Sequence, residues 1–203
     1  SEPEQMLLQL LYVGELRTEG EDSFMKIPHD IAFKRSIGML DRIPDIEFQK
    51  VGIIYVGPSQ DTESDVLSNS TGSLQYHWFL NEMGDFVKLS EVSKLFYTGG
   101  LEKGTDGEFA LVWSDEITQI TFHVVTLMPE DQDISMRKRH VGNDLVNIFY
   151  HESGLPDFNF NIIKSQFTFI SIVISPQTSR PKQDISEHYK IKVYRRTGTP
   201  GLL

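Results

Sequence analysis

The stretch KVGIIYVGP, residues 50–58, decides the fold class of this chain. Its apolar residues follow one another without the polar alternation of a half-exposed strand, and the run ends in Gly-Pro. This pattern is typical of a strand that is covered on both faces. Helical patterns lie before and after it along the chain. We therefore predict an α/β fold in which helices flank a mixed central β-sheet.

Two segments around this strand have the spacing of helices with one buried face. The first, residues 29–43, has Asp30 as a candidate N-cap and is stopped by Pro44. Its predicted inward residues are Ile31, Ile37, Leu40 and Ile43. The second, residues 73–84, ends at Gly84, and its predicted inward residues are Leu74, Trp78, Phe79 and Met83.

The remaining apolar runs predict the other strands of the sheet. We expect an initial strand or short helix at 6–16, a short strand at DFVKL, two strand patterns around a glycine-rich turn at 94–113, and strands at 117–127, 145–151, 167–176 and 188–196. The neighbouring strands that end with 117–127 should form a meander. Because no linker or repeat stands out, we expect a single domain that spans residues 1–203.

The composition and the motifs exclude several classes of function. A net charge of −10 argues against a general nucleic-acid binder, because neutralising phosphates requires a basic surface. The chain has no cysteine, and its six histidines lack HxxxH or HxH spacing, so we predict no metal site. It has neither a Walker-type phosphate loop nor a GxSxG elbow. No apolar run approaches the ~20 residues of a membrane helix, so we expect no direct membrane insertion.

A dense polar cluster, RKRHVGND at residues 137–144, closes a helix predicted over 128–142. Its cations favour the negative C-terminal end of that helix, while Pro129, Glu130, Asp131 and Asp133 suit its start. Gly142 is expected in a left-handed C′ conformation, and Asn143-Asp144 in an Asx-type turn. These residues alone leave two interpretations open, a capped helix end or a functional site built around the Asn143 carboxamide.

The blocks around this cluster resemble the Rap/Ran-GAP domain, a family of GTPase-activating proteins that act through an asparagine thumb. The resemblance rests on KRHVGNDLVNIFYHESG (138–154), ITQITFHVVTLMP (117–129) and FNIIKSQFTFISIVISP (160–176), and it covers roughly residues 30–180. Within the family, the blocks YVGPSQ, DGEFALVWSDEI and HVVTLMP are most similar to the tuberin branch.

The resemblance implies a domain that stimulates GTP hydrolysis by a small Ras-like G protein, which for the tuberin branch is of the Rheb type. It places the catalytic thumb at Asn143 with His140 beside it, and it gives supporting or G-protein-binding roles to Arg137, Lys138, Arg139, Gly142 and Asp144. We expect Asn143 to orient the attacking water and His140 to hydrogen-bond Asn143. The cations should either contact the G protein or stabilise the helix that carries the thumb.

The resemblance also implies partners and a location. We expect an activator that works in trans without hydrolase activity of its own, with GTP and magnesium on the G protein and no cofactor on this chain. Hamartin is the implied partner in a full-length complex, and the implied location is cytoplasmic, with recruitment through partners to endomembranes such as the lysosome or vacuole. Two alternatives stay open: a Rap- or Ral-type G protein, or a non-catalytic module that only binds a G protein.

Overall fold

A computed structural model describes residues 30–40, 46–93, 96–155, 158–159, 161–177 and 188–198. The chain divides into two compact units, Ser1–Pro44 and Asp45–Leu203. The element predicted at residues 6–16 lies outside the described residues. The extent of a single domain over residues 1–203 stays a prediction.

In the first unit the described residues form one helix, α1, Ile31–Leu40. Asp30 begins it as predicted, because its carboxylate oxygen Oδ1 accepts a hydrogen bond from the Phe33 N–H at 2.7 Å. The side chains of Ile31 and Ile37 are 71% and 41% exposed, so the inward direction predicted for these two residues is wrong. The apolar spacing indicated the helix correctly, but spacing alone does not provide a surface against which a face is buried.

The second unit is built on a seven-stranded sheet with the order β2-β3-β4-β1-β5-β6-β7. The strands are β1 Glu47–Val56, β2 Asp85–Lys88, β3 Phe109–Ser114, β4 Thr118–Val124, β5 Val146–His151, β6 Ile170–Gln177 and β7 His188–Arg195. Four neighbouring strands, β4-β1-β5-β6, pair in parallel. The other three, β2, β3 and β7, pair antiparallel with their neighbours. The sheet is therefore mixed, as predicted. A meander also forms, but its first strand is β2, in the DFVKL segment, and not the first strand pattern predicted at residues 94–113.

Parallel pairing brings the amino ends of β1, β4, β5 and β6 to one edge of the sheet. We call this edge the amino edge. Of the two strand patterns predicted at residues 94–113, the second forms β3. Residues 94 and 95 lie outside the described residues. The described residues before β3, 96–108, form turns and bends.

Helices cover both faces of the sheet. They are α2 Glu63–Leu67, α3 Leu74–Met83, a short 3-10 helix Val125–Leu127 and α4 Ile134–Val141. Along β1, Ile53 and Tyr55 belong to the apolar cluster that includes residues of α3, whereas Ile54 and Val56 belong to the cluster that includes residues of α2 and α4. The prediction that residues 50–58 are buried on both faces is therefore confirmed.

The helix predicted at residues 73–84 forms, and two of its four predicted inward residues, Phe79 and Met83, pack against the core as expected. Tyr76 and Leu80 are buried, whereas Leu74 and Trp78 are 61% and 49% exposed. The Tyr76 hydroxyl group lies 3.0 Å from Thr126 Oγ1, which satisfies the polar end of this buried ring. Within the described residues, no helix has the length and apolar character needed to cross a membrane.

Candidate functional site

Helix α4 carries the polar cluster, but it is shorter than predicted. It begins at Ile134 instead of near residue 128, and Asp133 is its N-cap, with Oδ1 accepting the Ser135 N–H at 2.9 Å. In the segment before the helix, the Pro129 carbonyl accepts a hydrogen bond from the Arg137 side chain. The basic residues lie in the last turn as expected, at Lys138, Arg139 and His140.

Gly142 follows α4 in a right-handed conformation, with φ −74° and ψ −16°, so the predicted left-handed C′ conformation is wrong. Glycine is required here for a different reason. The Gly142 N–H donates to the Lys138 carbonyl at 2.7 Å, and a Cβ at this position would lie 2.6 Å from that same oxygen. Space, and not the sign of φ, therefore restricts this position.

Asn143 is exposed, and two hydrogen bonds hold it to the end of α4. Its side-chain Nδ2 donates to the Arg139 carbonyl at 2.7 Å, and its backbone N–H donates to the His140 carbonyl at 3.0 Å. The side chain thus caps the helix as a donor, and the predicted Asx-type turn, in which it would accept, does not form. The carboxamide oxygen Oδ1 makes no hydrogen bond to any part of the chain that the structure describes.

Arg137 has the opposite environment. Its side chain is only 1% exposed, and its guanidinium donates to the carbonyl oxygens of Leu67, Asn69 and Pro129 at 2.8, 3.0 and 2.6 Å. Burial lowers the pKa of Arg137, against a smaller opposing effect of the Glu130 charge. Of the two roles predicted for the cations, Arg137 therefore takes the structural one.

The next two cations differ again from Arg137. Lys138 is partly buried, and its Nζ lies 2.9 Å from Glu63 Oε1 in α2. Glu63 also accepts the backbone N–H of Lys164 at 2.8 Å, so this ion pair joins three segments. Arg139 is exposed. Among the three adjacent cations, Arg139 is the one with an exposed side chain.

His140 does not make the side-chain hydrogen bond to Asn143 that we predicted. Its imidazole is buried, and Nε2 lies 2.8 Å from Asp106 Oδ1. Burial lowers the pKa of His140, although the hydrogen bond and charge of Asp106 oppose this shift. His140 supports Asn143 through its backbone carbonyl instead.

Asp144 is fully buried beneath the same helix end. Its Oδ2 lies 2.8 Å from His123 Nδ1, and its Oδ1 lies 3.8 Å from Lys50 Nζ. The rings of His123 and His140 are 5.0 Å apart, so two histidine–aspartate pairs lie side by side under the exposed asparagine. Sequence reasoning identified Asp144 and His140 but missed Asp106, His123 and Lys50, because they come from separate elements with no spacing that links them to residues 137–144.

The connection before β6 packs against the segment that follows α4. The Ser165 hydroxyl donates to the Gly142 carbonyl, and Thr168 Oγ1 donates to the Asp144 carbonyl at 3.0 Å. The backbone N–H of Phe169 donates to the Leu145 carbonyl at 2.9 Å. Asn143 is therefore anchored on both sides, by α4 and by this connection.

None of the described residues forms a group of three or more histidine, aspartate or glutamate side chains that could hold a metal ion. The arrangement is that of one exposed carboxamide on a rigid, buried polar support. A neutral amide can position a water molecule for another molecule's reaction, because its oxygen accepts a hydrogen bond without bringing a charge.

Comparison with known proteins gives consistent results. A family model described as Rap/ran-GAP matches residues 66–202. The Tuberous sclerosis 2 protein homolog of Schizosaccharomyces pombe is 41% identical over 172 residues, which are 81% of this chain and 13% of that protein. The Ral GTPase-activating protein subunit alpha-2 of Mus musculus is 34% identical over 145 residues, which are 70% of this chain and 8% of that protein.

A solved structure of the TSC2 GAP domain is similar in fold and in sequence. It superposes with a TM-score of 0.68 and 36% sequence identity, covering 77% of this chain and 84% of that structure. The mixed sheet with a few helices described above is the architecture that the two share. This chain spans less than a fifth of the length of the two curated relatives named above.

Proposed function

This chain belongs to the Rap/ran-GAP family and is a GAP domain homologous to the tuberous sclerosis 2 and Ral GTPase-activating proteins, and from that premise we propose that it uses Asn143 to accelerate GTP hydrolysis by a small Ras-like G protein of the Rheb type. The protein acts in trans. The G protein supplies GTP and magnesium, and this chain supplies the carboxamide.

One observation carries the proposal. The exposed Asn143 side chain donates through Nδ2 to the Arg139 carbonyl at 2.7 Å, and no described residue donates a hydrogen bond to its acceptor oxygen Oδ1. This hydrogen bond also fixes the amide orientation, because a carbonyl accepts only from the nitrogen end. The side chain is thus presented in one orientation from an anchored backbone, as a group that enters another protein's active site must be.

The chemistry requires little more from this chain. The G protein already holds the phosphates and the metal ion, so a partner in trans contributes by positioning water and stabilising charge. In our proposal, an O–H of the attacking water donates to Asn143 Oδ1, and the water oxygen is directed at the γ-phosphorus. A bond forms between the water oxygen and the γ-phosphorus as the bond from the γ-phosphorus to the bridging β–γ oxygen breaks. The products are GDP and inorganic phosphate, and the phosphate takes up the proton that the water loses. Activators in trans raise such rates by about 10³ to 10⁵.

The neighbouring residues position Asn143 and do not touch the reacting atoms. Gly142 has no side chain that would clash with the Lys138 carbonyl beside Asn143. Asp144, the residue after Asn143, is buried and so holds the backbone on that side. His140 and Arg137 hold α4 in place from its buried side. An error of about 1 Å in the position of a catalytic group can reduce the rate on the order of 100-fold, which is why such support matters.

The similarity to the Schizosaccharomyces pombe tuberous sclerosis 2 homolog and to the TSC2 GAP domain supports a Rheb-type G protein. The same similarity supports hamartin as a partner of the complete protein and recruitment from the cytoplasm to an endomembrane through partners. The second candidate is a Ral-type G protein, which the 34% identity to a Ral GTPase-activating protein subunit favours.

Single-turnover GTP hydrolysis by a panel of Rheb-, Ral- and Rap-type G proteins, each with and without this chain, tests the proposal. We expect the Rheb-type protein to be accelerated most. The strongest acceleration of the Ral-type protein would select the second candidate. Binding without acceleration of any member would make the chain a non-catalytic G-protein-binding module.

A further inference from the structure

His123 is a buried histidine whose two ring nitrogens both face hydrogen-bond acceptors. It belongs to β4, and its side chain is 1% exposed. Nδ1 lies 2.8 Å from Asp144 Oδ2, and Nε2 lies 3.2 Å from the Gly99 carbonyl oxygen. Because carboxylate and carbonyl oxygens only accept, both contacts are hydrogen bonds only when both ring nitrogens carry a proton. A neutral imidazole has one such proton and satisfies one of the two acceptors.

The Asp144 carboxylate is the acceptor that most needs a cation. It is fully buried, and a buried carboxylate is costly unless a cation or several donors pair with it. Lys50 Nζ lies 3.8 Å from Asp144 Oδ1, whereas His123 Nδ1 lies 2.8 Å from Oδ2. His123 is therefore the closer of these two partners, and a charge on its ring compensates the buried carboxylate.

His140 is the other titratable ring that faces His123. The two rings are 5.0 Å apart, and two positive charges at that separation repel each other. Burial lowers the pKa of His140, and the charge of His123 acts in the same direction. Since His140 has one acceptor at 2.8 Å, Asp106 Oδ1, a neutral ring with a proton on Nε2 satisfies it. Of the two rings, His123 is thus the one whose contacts require the second proton.

The glycine-rich turn before β3 holds His123 from its other side. Gly99 has a φ of +68°, and a Cβ at this position would lie 2.8 Å from His123 Nε2. The Tyr97 carbonyl accepts hydrogen bonds from the side chains of Gln119 and Thr121, both in β4, at 2.6 and 2.9 Å. The turn is therefore attached to the strand that carries His123, and the imidazole is enclosed between the turn and Asp144.

We propose that His123 is a positioning residue for Asn143, and that it acts as an imidazolium that holds the Asp144 carboxylate in place. Asn143 and Asp144 are adjacent and precede β5 at the amino edge of the sheet. A fixed Asp144 side chain therefore fixes the backbone from which Asn143 is presented. The inference rests on the proposed function, which gives the Asn143 carboxamide its role, and His123 itself touches no reacting atom.

The protonation state is tested by NMR of the histidine ring nitrogens in the parent protein at neutral pH. His151 is the reference within the same spectrum. Its Nδ1 and Nε2 lie 3.2 and 2.6 Å from the hydroxyl groups of Ser175 and Ser153, which can donate or accept, so a neutral ring satisfies both contacts. Burial, assisted by the Lys192 charge, also lowers the pKa of His151. We expect protons on both nitrogens of His123 and on one nitrogen of His151. A neutral His123 would overturn the proposal.

His123→Asn and His123→Gln test the positioning role, because each retains a different one of the two donors. The amide nitrogen of asparagine is separated from Cβ by one carbon, as Nδ1 is, so it can still donate to Asp144. The amide nitrogen of glutamine is separated from Cβ by two carbons, as Nε2 is, so it can donate to Gly99 instead. Both variants remove the same ring and the same charge, so a merely structural role predicts equal effects. His151→Gln is the control for loss of a buried histidine elsewhere.

The readouts are the maximal rate of single-turnover GTP hydrolysis by the Rheb-type G protein, the affinity for that protein, and the NMR signals of the Asn143 side-chain amide. We expect His123→Gln to lower the maximal rate on the order of 100-fold and to shift the Asn143 signals, because Asp144 loses its donor. His123→Asn should retain at least about a tenth of the parent rate. His151→Gln should match the parent.

Equal maximal rates in His123→Asn and His123→Gln, with equal free energies of unfolding, would overturn the positioning role. If neither variant folds, the NMR measurement on the parent still decides whether His123 is an imidazolium. A parent that accelerates no G protein of the panel would overturn the proposed function. In that case, an imidazolium at His123 together with shifted Asn143 signals in His123→Gln alone would still support the positioning of Asn143 by His123.

Discussion

Arg137, within α4, and Asn143, just beyond its end, differ in almost every physical property. Arg137 is 1% exposed, and three backbone carbonyls accept its guanidinium hydrogen bonds. Asn143 is exposed, and no described residue donates a hydrogen bond to its acceptor oxygen Oδ1. The buried side of this short helix thus holds the structure together, whereas its exposed end is available to another molecule.

The difference teaches that adjacent residues of one polar cluster do not share one function. Arg137 is structural, Lys138 pairs with Glu63, and Arg139 is exposed. A charge count treats these three cations as equal. The three side chains differ in burial. Variants should therefore fall into two classes: those that lower the free energy of unfolding and those that affect only the interaction with the partner.

The largest effect on stability is expected at Arg137. Arg137→Met leaves the carbonyls of Leu67, Asn69 and Pro129 without their buried donor, and we expect the free energy of unfolding to fall by about 3–5 kcal/mol. Urea unfolding of the parent and the variant measures this loss.

The matched control is Arg139→Met, which should change the free energy of unfolding by less than about 0.5 kcal/mol because the side chain is exposed. Equal losses in the two variants would contradict the division of α4 into a buried, structural side and an exposed end.

A smaller effect is expected from pH, through the buried side of α4. The folded-state pKa of His140 is lowered by burial, so the unfolded chain binds a proton more readily than the folded chain. The free energy of unfolding should therefore fall as the pH drops below about 6.5, the usual pKa of histidine. Burial raises the pKa of Asp106, but hydrogen bonds from the Glu102 backbone and from His140 outweigh this and lower it, so Asp106 adds a further loss at more acidic pH.

His140→Gln keeps a donor for Asp106 but does not titrate, so its stability should depend less steeply on pH between about 5 and 6.5. His151→Gln is the comparison, because burial, assisted by the Lys192 charge, also lowers the pKa of His151, which lies away from the thumb. Both variants should reduce the slope of stability against pH, but only His140→Gln should also reduce the pH dependence of GTPase stimulation. A slope of stability against pH that is unchanged in His140→Gln would refute the assignment of this pH dependence to His140.

The smallest effect is expected at the Lys138–Glu63 pair. Both side chains are partly exposed, and Lys138 Nζ lies 2.9 Å from Glu63 Oε1. Lys138→Met should therefore lower the free energy of unfolding by no more than about 1 kcal/mol. The loss should shrink in 1 M salt, where charges at the surface are screened. A double-mutant cycle with Glu63→Gln measures the interaction energy of the pair. A coupling energy above about 2 kcal/mol would contradict the small effect expected and would make the pair a structural contact like those of Arg137.

Much of the fold could be predicted from local patterns. The buried strand at residues 50–58, the mixed sheet and the meander follow from apolar runs and turn residues. The inward face of α3 could be predicted only in part. Phe79 and Met83 pack against the core as expected, but Tyr76, whose hydroxyl contacts the distant Thr126, is buried where Leu74 and Trp78 are exposed. The start of α4 also differs from the predicted one, because Asp133 is the N-cap while the Pro129 carbonyl accepts a hydrogen bond from Arg137.

The candidate site divides in the same way. Residues 137–144 are contiguous, and a family resemblance over such a segment can identify them from the sequence. Their supports are not contiguous: His123 belongs to β4, and Asp106 to the turns before β3. No periodicity in the sequence relates His123 and Asp106 to Asn143. The two histidine–aspartate pairs come together beneath Asn143 only when the chain is folded.

Comparison of Asn143→Ala with Asn81→Ala tests the central claim most directly. Asn81 is an exposed asparagine of α3, so both variants remove the same carboxamide from an exposed position. The measurement is the maximal rate of single-turnover GTP hydrolysis by the Rheb-type G protein at saturating concentrations of each variant, together with its affinity. We predict that Asn143→Ala binds the G protein but lowers the maximal rate on the order of 100-fold or more, whereas Asn81→Ala matches the parent. A maximal rate of Asn143→Ala equal to that of the parent would contradict the account.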